Sequence, residues 1–184
     1  MNLNKYFNSF DLQYYIFFKE YKFKLNLIGF TAQLLPFLLL FIFIPMEYLF
    51  NEIFWPILFV VFVLTRFPHE YLHKYGGYII GVKCKCDFLK VNATCTPLAP
   101  ILWFQVVIIA ATPLIVLGIL FLSTMFIFYI LNLSLWFYIG LASFLLLIIS
   151  CEGDIGYIFY ALRYKTGYVF VDEGIMLKVY KHNI

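Results

Sequence analysis

The pentapeptide His69-Glu70-Tyr71-Leu72-His73 holds the residues of this chain best suited to chemistry. Histidines four residues apart on a helix lie about 40° apart around its axis and one turn apart along it, so both imidazoles can reach one metal ion. The glutamate lies about 100° from the first histidine, where it can accept a proton from a water without being a ligand. The spacing therefore predicts a zinc (Zn2+) site, with His69 and His73 as ligands and Glu70 as the general base.

The competing interpretation of this motif is a solvated polar helix end at a membrane surface. Only three histidines occur in 184 residues, and two of them fall in this pentapeptide with a glutamate in the right position. The motif also follows a long apolar run, where ionisable groups are costly and usually functional. We therefore favour the metal site.

The composition predicts an integral membrane protein whose first partner is the lipid bilayer. Apolar residues make up 64% of the chain and charged residues only 12%, and the mean hydropathy is +0.92. A soluble domain of this size would have too little polar surface to cover itself. The net charge of +3 is small and spread over predicted loops, so nucleic-acid binding is not expected.

Four apolar stretches are long enough to cross a bilayer. They run over about 25–50, 53–73 and 101–130, and from 134 to 150, the last continuing as a helix through Asp154 towards Arg163. Basic residues concentrate in 1–24, in 74–100 and in the C-terminal tail, so both termini and the loop 74–100 are expected to be cytosolic.

These stretches predict the fold class and the domain organisation. We expect an all-α integral membrane protein of about four transmembrane helices, with a short β-hairpin in the cytosolic loop after the second. Residues 1–184 are expected to form a single domain without a cleavable signal peptide. Within the N-terminal segment 1–24, the aromatic stretch Tyr14–Tyr21 is expected to lie at the membrane interface.

A catalytic zinc ion needs a third protein ligand, and we expect it near the end of the fourth span. The second and fourth spans run in the same direction, so His73 and Asp154 are expected at similar depth. Glu152 and Asp154 lie about 200° apart on a helix, so only one can face the histidines. We predict Asp154 as the ligand, in which case Glu152 is a neighbouring group. The alternatives for the third ligand are Glu152 and His182, the latter expected in a mobile tail.

Arg66 is an unusual cation within the second span, in i,i+4 register with Glu70. It is expected to neutralise Glu70 or Glu152, or to stabilise a developing oxyanion. The competing interpretation is an arginine that extends along the helix to reach the cytosolic face.

The loop 74–100 is predicted to leave the helix at Gly76-Gly77 and to form a hairpin from the alternating runs 78–86 and 91–95. A strand edge there could pair with an extended substrate segment. A cytosolic loop is kept reduced, so no disulfide is expected in it. The loop contains three cysteines whose spacing matches no common zinc site, namely Cys84, Cys86 and Cys95.

The order of these features resembles the intramembrane metalloproteases of the site-2-protease type, and more closely a family of small zincin peptidases with four spans. The resemblance covers roughly residues 60–175 and rests on HExxH, the strand-like loop, Ala111-Thr112-Pro113, Gly153-Asp154 and Val171-Asp172. It implies a zinc-dependent membrane endopeptidase that acts on a peptide or a transmembrane helix, with Asp154 as the third ligand. The chain lacks the PDZ-like insertion and the late Asp-Gly pair of the larger group.

A non-enzymatic protein is the competing functional hypothesis, either an inactive membrane scaffold or a metal-handling protein. An inactive scaffold would typically lack Glu70, which is present. A transporter would require polar groups near the middle of the bilayer, and few occur within the spans. The peptidase is therefore favoured.

Overall fold

The computed structural model describes residues 15–22, 38–87, 94–173 and 176–182. Residues 38–43 are helical. The further elements follow in chain order as β1 (Tyr15–Lys22), α1 (Met46–Leu49), α2 (Phe54–Ile79), β2 (Cys84–Asp87), β3 (Thr94–Pro97), α3 (Trp103–Ile130), α4 (Ser134–Ser150), α5 (Glu152–Arg163), β4 (Tyr168–Asp172) and β5 (Met176–His182).

The described residues form two compact units. The strand unit contains the described parts of 1–25, 70–112 and 153–184, and the helix unit contains those of 26–69 and 113–152. The division falls within α2 between His69 and Glu70, within α3 between Thr112 and Pro113, and at the start of α5 between Glu152 and Gly153. The helix α2 itself is continuous from Phe54 to Ile79.

The helix unit has an aliphatic core with one large ring at its centre. Phe54 is completely buried there, and it packs with Leu58 of α2 and with Ile139 and Ala142 of α4. The side chain of Trp55 donates a hydrogen bond to the carbonyl oxygen of Leu49 at 2.7 Å, which fixes the short connection between α1 and α2.

The strand unit is built on an antiparallel sheet in the order β1-β5-β4. The central strand β5 alternates, so Leu177 and Val179 are completely buried while Lys178 and Tyr180 are only partly covered. Phe170 of β4 joins the same core, and its backbone exchanges two hydrogen bonds of 2.8 Å with Ile101, which ties the start of α3 to the sheet.

This sheet corrects two expectations from the sequence. The fold is mostly helical but not all-α, and His182 ends a paired strand, opposite Tyr15, rather than lying in a mobile tail. The N-terminal segment Tyr15–Lys22 is a strand paired with β5, and its location at the membrane interface stays a prediction. In β5 the buried residues Leu177 and Val179 alternate with partly covered ones, whereas in β4 the adjacent residues Val169 and Phe170 are both buried. Pairing with the distant strand β1 completes the sheet.

The predicted hairpin is confirmed as the antiparallel pair of β2 and β3, with Cys86 directly opposite Cys95. Its first strand begins at Cys84 and not at residue 78, because α2 continues to Ile79. The expectation of reduced cysteines is wrong for this pair, because Cys86 and Cys95 form a disulfide. Their direct cross-strand position brings the two sulfur atoms together. Cys84 and Cys151 are free thiols.

The expectation of about four spans is not met among the described residues. One helix, α3, is long and apolar enough to cross a membrane, and the pair of α4 and α5, broken at Cys151, would count as a second if it acts as one span. The polar end of α2, with Arg66, His69, Glu70 and His73, lowers its hydropathy. The predicted first span lies largely outside the described residues, of which it includes only 38–50.

The glycine pair at 76–77 does not end the second helix, which continues to Ile79. The left-handed residue that follows this helix is Gly81, with φ of 74°. Gly76 instead allows α2 to approach α3 closely, since a Cβ at this position would lie 2.5 Å from Oγ1 of Thr112. This close approach lies one turn from His73 and fixes the end of α2 that carries it.

Candidate metal centre

One turn of α2 carries the predicted zinc ligands and the predicted base. His69 and His73 are 8% and 7% exposed, and Glu70 is partly buried. One ligand atom from each of the three residues lies within 4.8 Å of the others. Because α2 is continuous here, the spacing of the two histidines is set by the helix itself.

The ring of His73 is oriented by a backbone carbonyl of α3. Its Nδ1 lies 2.9 Å from the oxygen of Ile109, and a carbonyl oxygen can only accept a hydrogen bond. Nδ1 therefore carries a proton and donates it. In the neutral imidazole this leaves the lone pair on Nε2, which is the form that binds a metal.

The Nε2 atom of His73 faces the carboxylate of Asp154 on α5, with 3.3 Å between Nε2 and Oδ1. A neutral Nε2 and a carboxylate oxygen are both acceptors, so a cation or a proton, carried by either atom, must lie between them. A charge-assisted N–H···O bond is usually about 2.7–2.9 Å long. Two ligand atoms, each about 2.0–2.1 Å from a tetrahedral zinc, would be roughly 3.3 Å apart. The observed distance is compatible with a pair of metal ligands as well as with a direct ion pair.

His69 has a sulfur neighbour at its Nδ1 atom. The Sγ of Cys151, the residue that ends α4, lies 3.8 Å from Nδ1 of His69, and Cys151 is completely buried. Two imidazoles and a carboxylate form a donor set that catalytic zinc sites commonly use. The side chains present therefore fit the predicted metal.

The other predicted site residues occupy different surroundings. Glu152 is partly buried at the first position of α5, and Arg66 is exposed on α2. His182 takes part in backbone pairing at the end of β5. The roles suggested for Arg66 and Glu152 stay predictions.

Two groups at this centre were not predicted from the sequence, namely the carbonyl of Ile109 and the thiol of Cys151. A main-chain carbonyl leaves no trace in the pattern of side chains, so nothing in the sequence could have indicated Ile109. Cys151 stands directly before Glu152-Gly153-Asp154, and this position was its only visible indication.

The hairpin lies beside the motif, and two of its three cysteines are joined in a disulfide. The Sγ of Cys86 lies 3.9 Å from the carbonyl oxygen of Glu70, which places β2 against this turn of α2. Burial, with the nearby charge of Asp172 adding to it, raises the pKa of the Cys84 thiol from 9.0 to about 11. Cys84 is therefore a neutral thiol at physiological pH, and Cys86 and Cys95 are joined to each other.

A last contact links the helix of Asp154 to the sheet. The hydroxyl of Tyr157, three residues after Asp154 on α5, donates a hydrogen bond of 3.3 Å to Oδ1 of Asp172 on β4. The Val171-Asp172 pair thus contacts the helix that presents the carboxylate.

Comparison with known proteins identifies no relative. No protein-family profile matches the chain. No curated protein and no solved structure is significantly similar to it.

Proposed function

We propose that this chain is a zinc-dependent membrane peptidase in which His69, His73 and Asp154 hold the metal and Glu70 is the general base. The observation that carries the proposal is the pair of facing acceptors, Nε2 of His73 and Oδ1 of Asp154. The Nδ1–H group of His73 donates its hydrogen bond to the carbonyl oxygen of Ile109, so the ring has no second proton on Nε2 in its neutral form. The resemblance to four-span zincin peptidases, given by the order of motifs, supports the same function.

Zinc, when bound, supplies Lewis acidity that acidifies a water and polarises the scissile carbonyl. Glu70 lies on the same helical turn as both histidines but at a different angle around the axis, so its carboxylate can accept the proton of the attacking water. It then delivers this proton to the leaving amine. Ile109 holds the ring of His73 in the tautomer that leaves Nε2 available, and α5 supplies the negative charge of Asp154.

A membrane location is supported by the apolar surface of the helices. Large apolar side chains are exposed along α2 before the motif, and they include Phe59, Phe62, Leu64 and Phe67. The helix α3 is long and apolar enough to cross a bilayer. The distribution of basic residues favours a cytosolic location for both termini and the loop 74–100. The Cys86–Cys95 disulfide in that loop is instead typical of an oxidising compartment, so the two observations favour opposite orientations.

The substrate is proposed to be an extended peptide or an unwound transmembrane helix. A helix hides its carbonyl groups in its own hydrogen bonds, so it must unwind before a water can attack. The hairpin beside Glu70 offers strand backbone in the right neighbourhood for pairing with such a segment.

Metal analysis of the purified chain in detergent tests the ligand set. Wild type is expected to hold about one zinc per chain, while His73→Ala and Asp154→Ala lose it. His182→Ala is the matched control for a histidine outside the proposed set and should retain zinc. A folded wild type without zinc, iron or cobalt after metal reconstitution would contradict the proposal.

Cleavage of a peptide library, read by mass spectrometry of new termini, tests the chemistry. Glu70→Gln keeps the size of the side chain but cannot accept the proton, so it should retain zinc and lose about 10²–10⁴-fold in rate. A wild type that holds zinc yet cleaves no peptide and no membrane-embedded substrate would favour a metal-binding scaffold instead.

A further inference from the structure

Cys151 has surroundings that its position in the sequence does not explain. It is completely buried, and its backbone N–H bonds the carbonyl of Leu147 at 3.0 Å, which fixes it at the end of α4. Its Sγ lies 3.8 Å from Nδ1 of His69, and both residues belong to the helix unit. A buried thiol so close to one ring nitrogen of a proposed zinc ligand bears on which nitrogen carries the proton.

In both histidines the Nδ1 atom lies beside a group that can accept a hydrogen bond. In His73, Nδ1 donates to the carbonyl of Ile109 and leaves the lone pair on Nε2. A cysteine sulfur is a weak acceptor, and a distance of 3.8 Å lies within the range for N–H···S contacts. If Nδ1 of His69 donates to this sulfur, both rings present Nε2, which is what a shared metal requires of histidines four residues apart on a helix.

We propose that Cys151 is a positioning residue whose sulfur accepts a hydrogen bond from the Nδ1–H group of His69. This contact fixes the tautomer of the ring and thereby raises metal affinity, although Cys151 does not bind the metal itself. The proposal rests on the proposed zinc site. No proton is transferred and no covalent bond changes in this role. Groups that orient metal-binding histidines typically contribute 10–100-fold to metal affinity, and a weak sulfur acceptor belongs at the low end of this range.

Cobalt(II) in place of zinc tests this role, because its visible spectrum reports the ligands directly. The full chain in detergent is titrated with cobalt(II), and zinc affinity is measured by competition. Wild type should show ligand-field bands without the intense near-ultraviolet band of a thiolate bound to cobalt. Cys151→Ala should bind about tenfold more weakly. Cys151→Ser, whose hydroxyl accepts the same N–H, should recover most of the affinity.

The matched control is Cys84→Ser, which removes the other free thiol of the described residues and should leave spectrum and affinity unchanged. A thiolate-to-cobalt band in wild type that disappears in Cys151→Ser would make Cys151 a ligand and overturn the proposal. Wild-type affinity in Cys151→Ala would overturn it as well, as would a loss in Cys151→Ser equal to that in Cys151→Ala. A folded wild type that binds neither cobalt nor zinc contradicts the zinc site itself, and this outcome is distinct from the others.

Discussion

The contact between Gly76 and Thr112 leads to a sharp prediction about how α2 is held. A Cβ added at Gly76 would lie 2.5 Å from Oγ1 and 3.1 Å from Cβ of Thr112, and 3.4 Å from Cα of Ile109. The Thr112 hydroxyl cannot move away freely, because it donates a 2.6 Å hydrogen bond to the carbonyl of Ile108. The substitution Gly76→Ala must therefore push α2 and α3 apart locally, at a cost of about 1–3 kcal/mol in the free energy of unfolding.

The same displacement should weaken the proposed metal site. The carbonyl that orients His73 belongs to Ile109, whose Cα is among the atoms nearest to the added methyl group, and the Nδ1···O distance is 2.9 Å. Lengthening this bond by several tenths of an ångström loses most of its orienting effect, so we expect zinc affinity to fall by about tenfold. Chemical denaturation in detergent measures the first effect, and competition for zinc measures the second.

Gly153 on α5 provides the control for this substitution, because a side chain there would extend into open space. A Cβ added at Gly153 meets nothing within 4 Å, so Gly153→Ala should leave stability unchanged or raise it by up to about 1 kcal/mol. The double substitution Gly76→Ala/Thr112→Ala removes the closest contact and should recover part of the loss. If Gly76→Ala unfolds like wild type and binds zinc with wild-type affinity, the close approach of the two helices does not position His73.

Two further predictions concern the contacts of Asp172 and Cys84. Tyr157→Phe removes the 3.3 Å hydrogen bond to Asp172 and should lower the free energy of unfolding by about 1 kcal/mol. The zinc content should stay unchanged. Complete loss of zinc from Asp172→Asn would instead make Asp172 a ligand. A pKa raised from 9.0 to about 11 keeps Cys84 neutral to higher pH, so maleimide should label it about 100-fold more slowly at pH 8 than an ordinary thiol, with the rate rising towards pH 11. Peptide mapping measures this rate, and a plateau below pH 9 would contradict the assigned pKa.

Local patterns in the sequence predicted the elements that depend on local preferences. The apolar stretch 101–130 became α3 and the stretch 134–150 became α4, each within two residues of the expected start. The alternating residues after α2 became the hairpin of β2 and β3. In each case the composition of one segment or of two neighbouring segments was enough, because few long-range contacts are needed to form these elements.

The three-stranded sheet could not be predicted in this way, because it joins residues 15–22 to residues 176–182. The aromatic strand β1 has the composition of a membrane-interface segment, and the basic residues of β5, such as Lys178 and Lys181, are typical of a charged tail. A strand is stable only when its partner strand is present. The preference of either segment alone therefore does not decide between a strand and an interfacial segment for β1, or between a strand and a charged tail for β5.

The candidate metal centre shows the same limit on a smaller scale. The identities of His69, Glu70 and His73 followed from their spacing, but what orients the rings did not. His73 is held by a main-chain carbonyl, and the close approach of α2 and α3 depends on the missing side chain of Gly76. Substituting a ligand removes metal from any site that contains it, whatever the surroundings. Substituting Gly76 should weaken zinc binding only if this arrangement of helices exists, and it therefore tests the structure of the proposed site more directly than the loss of any ligand.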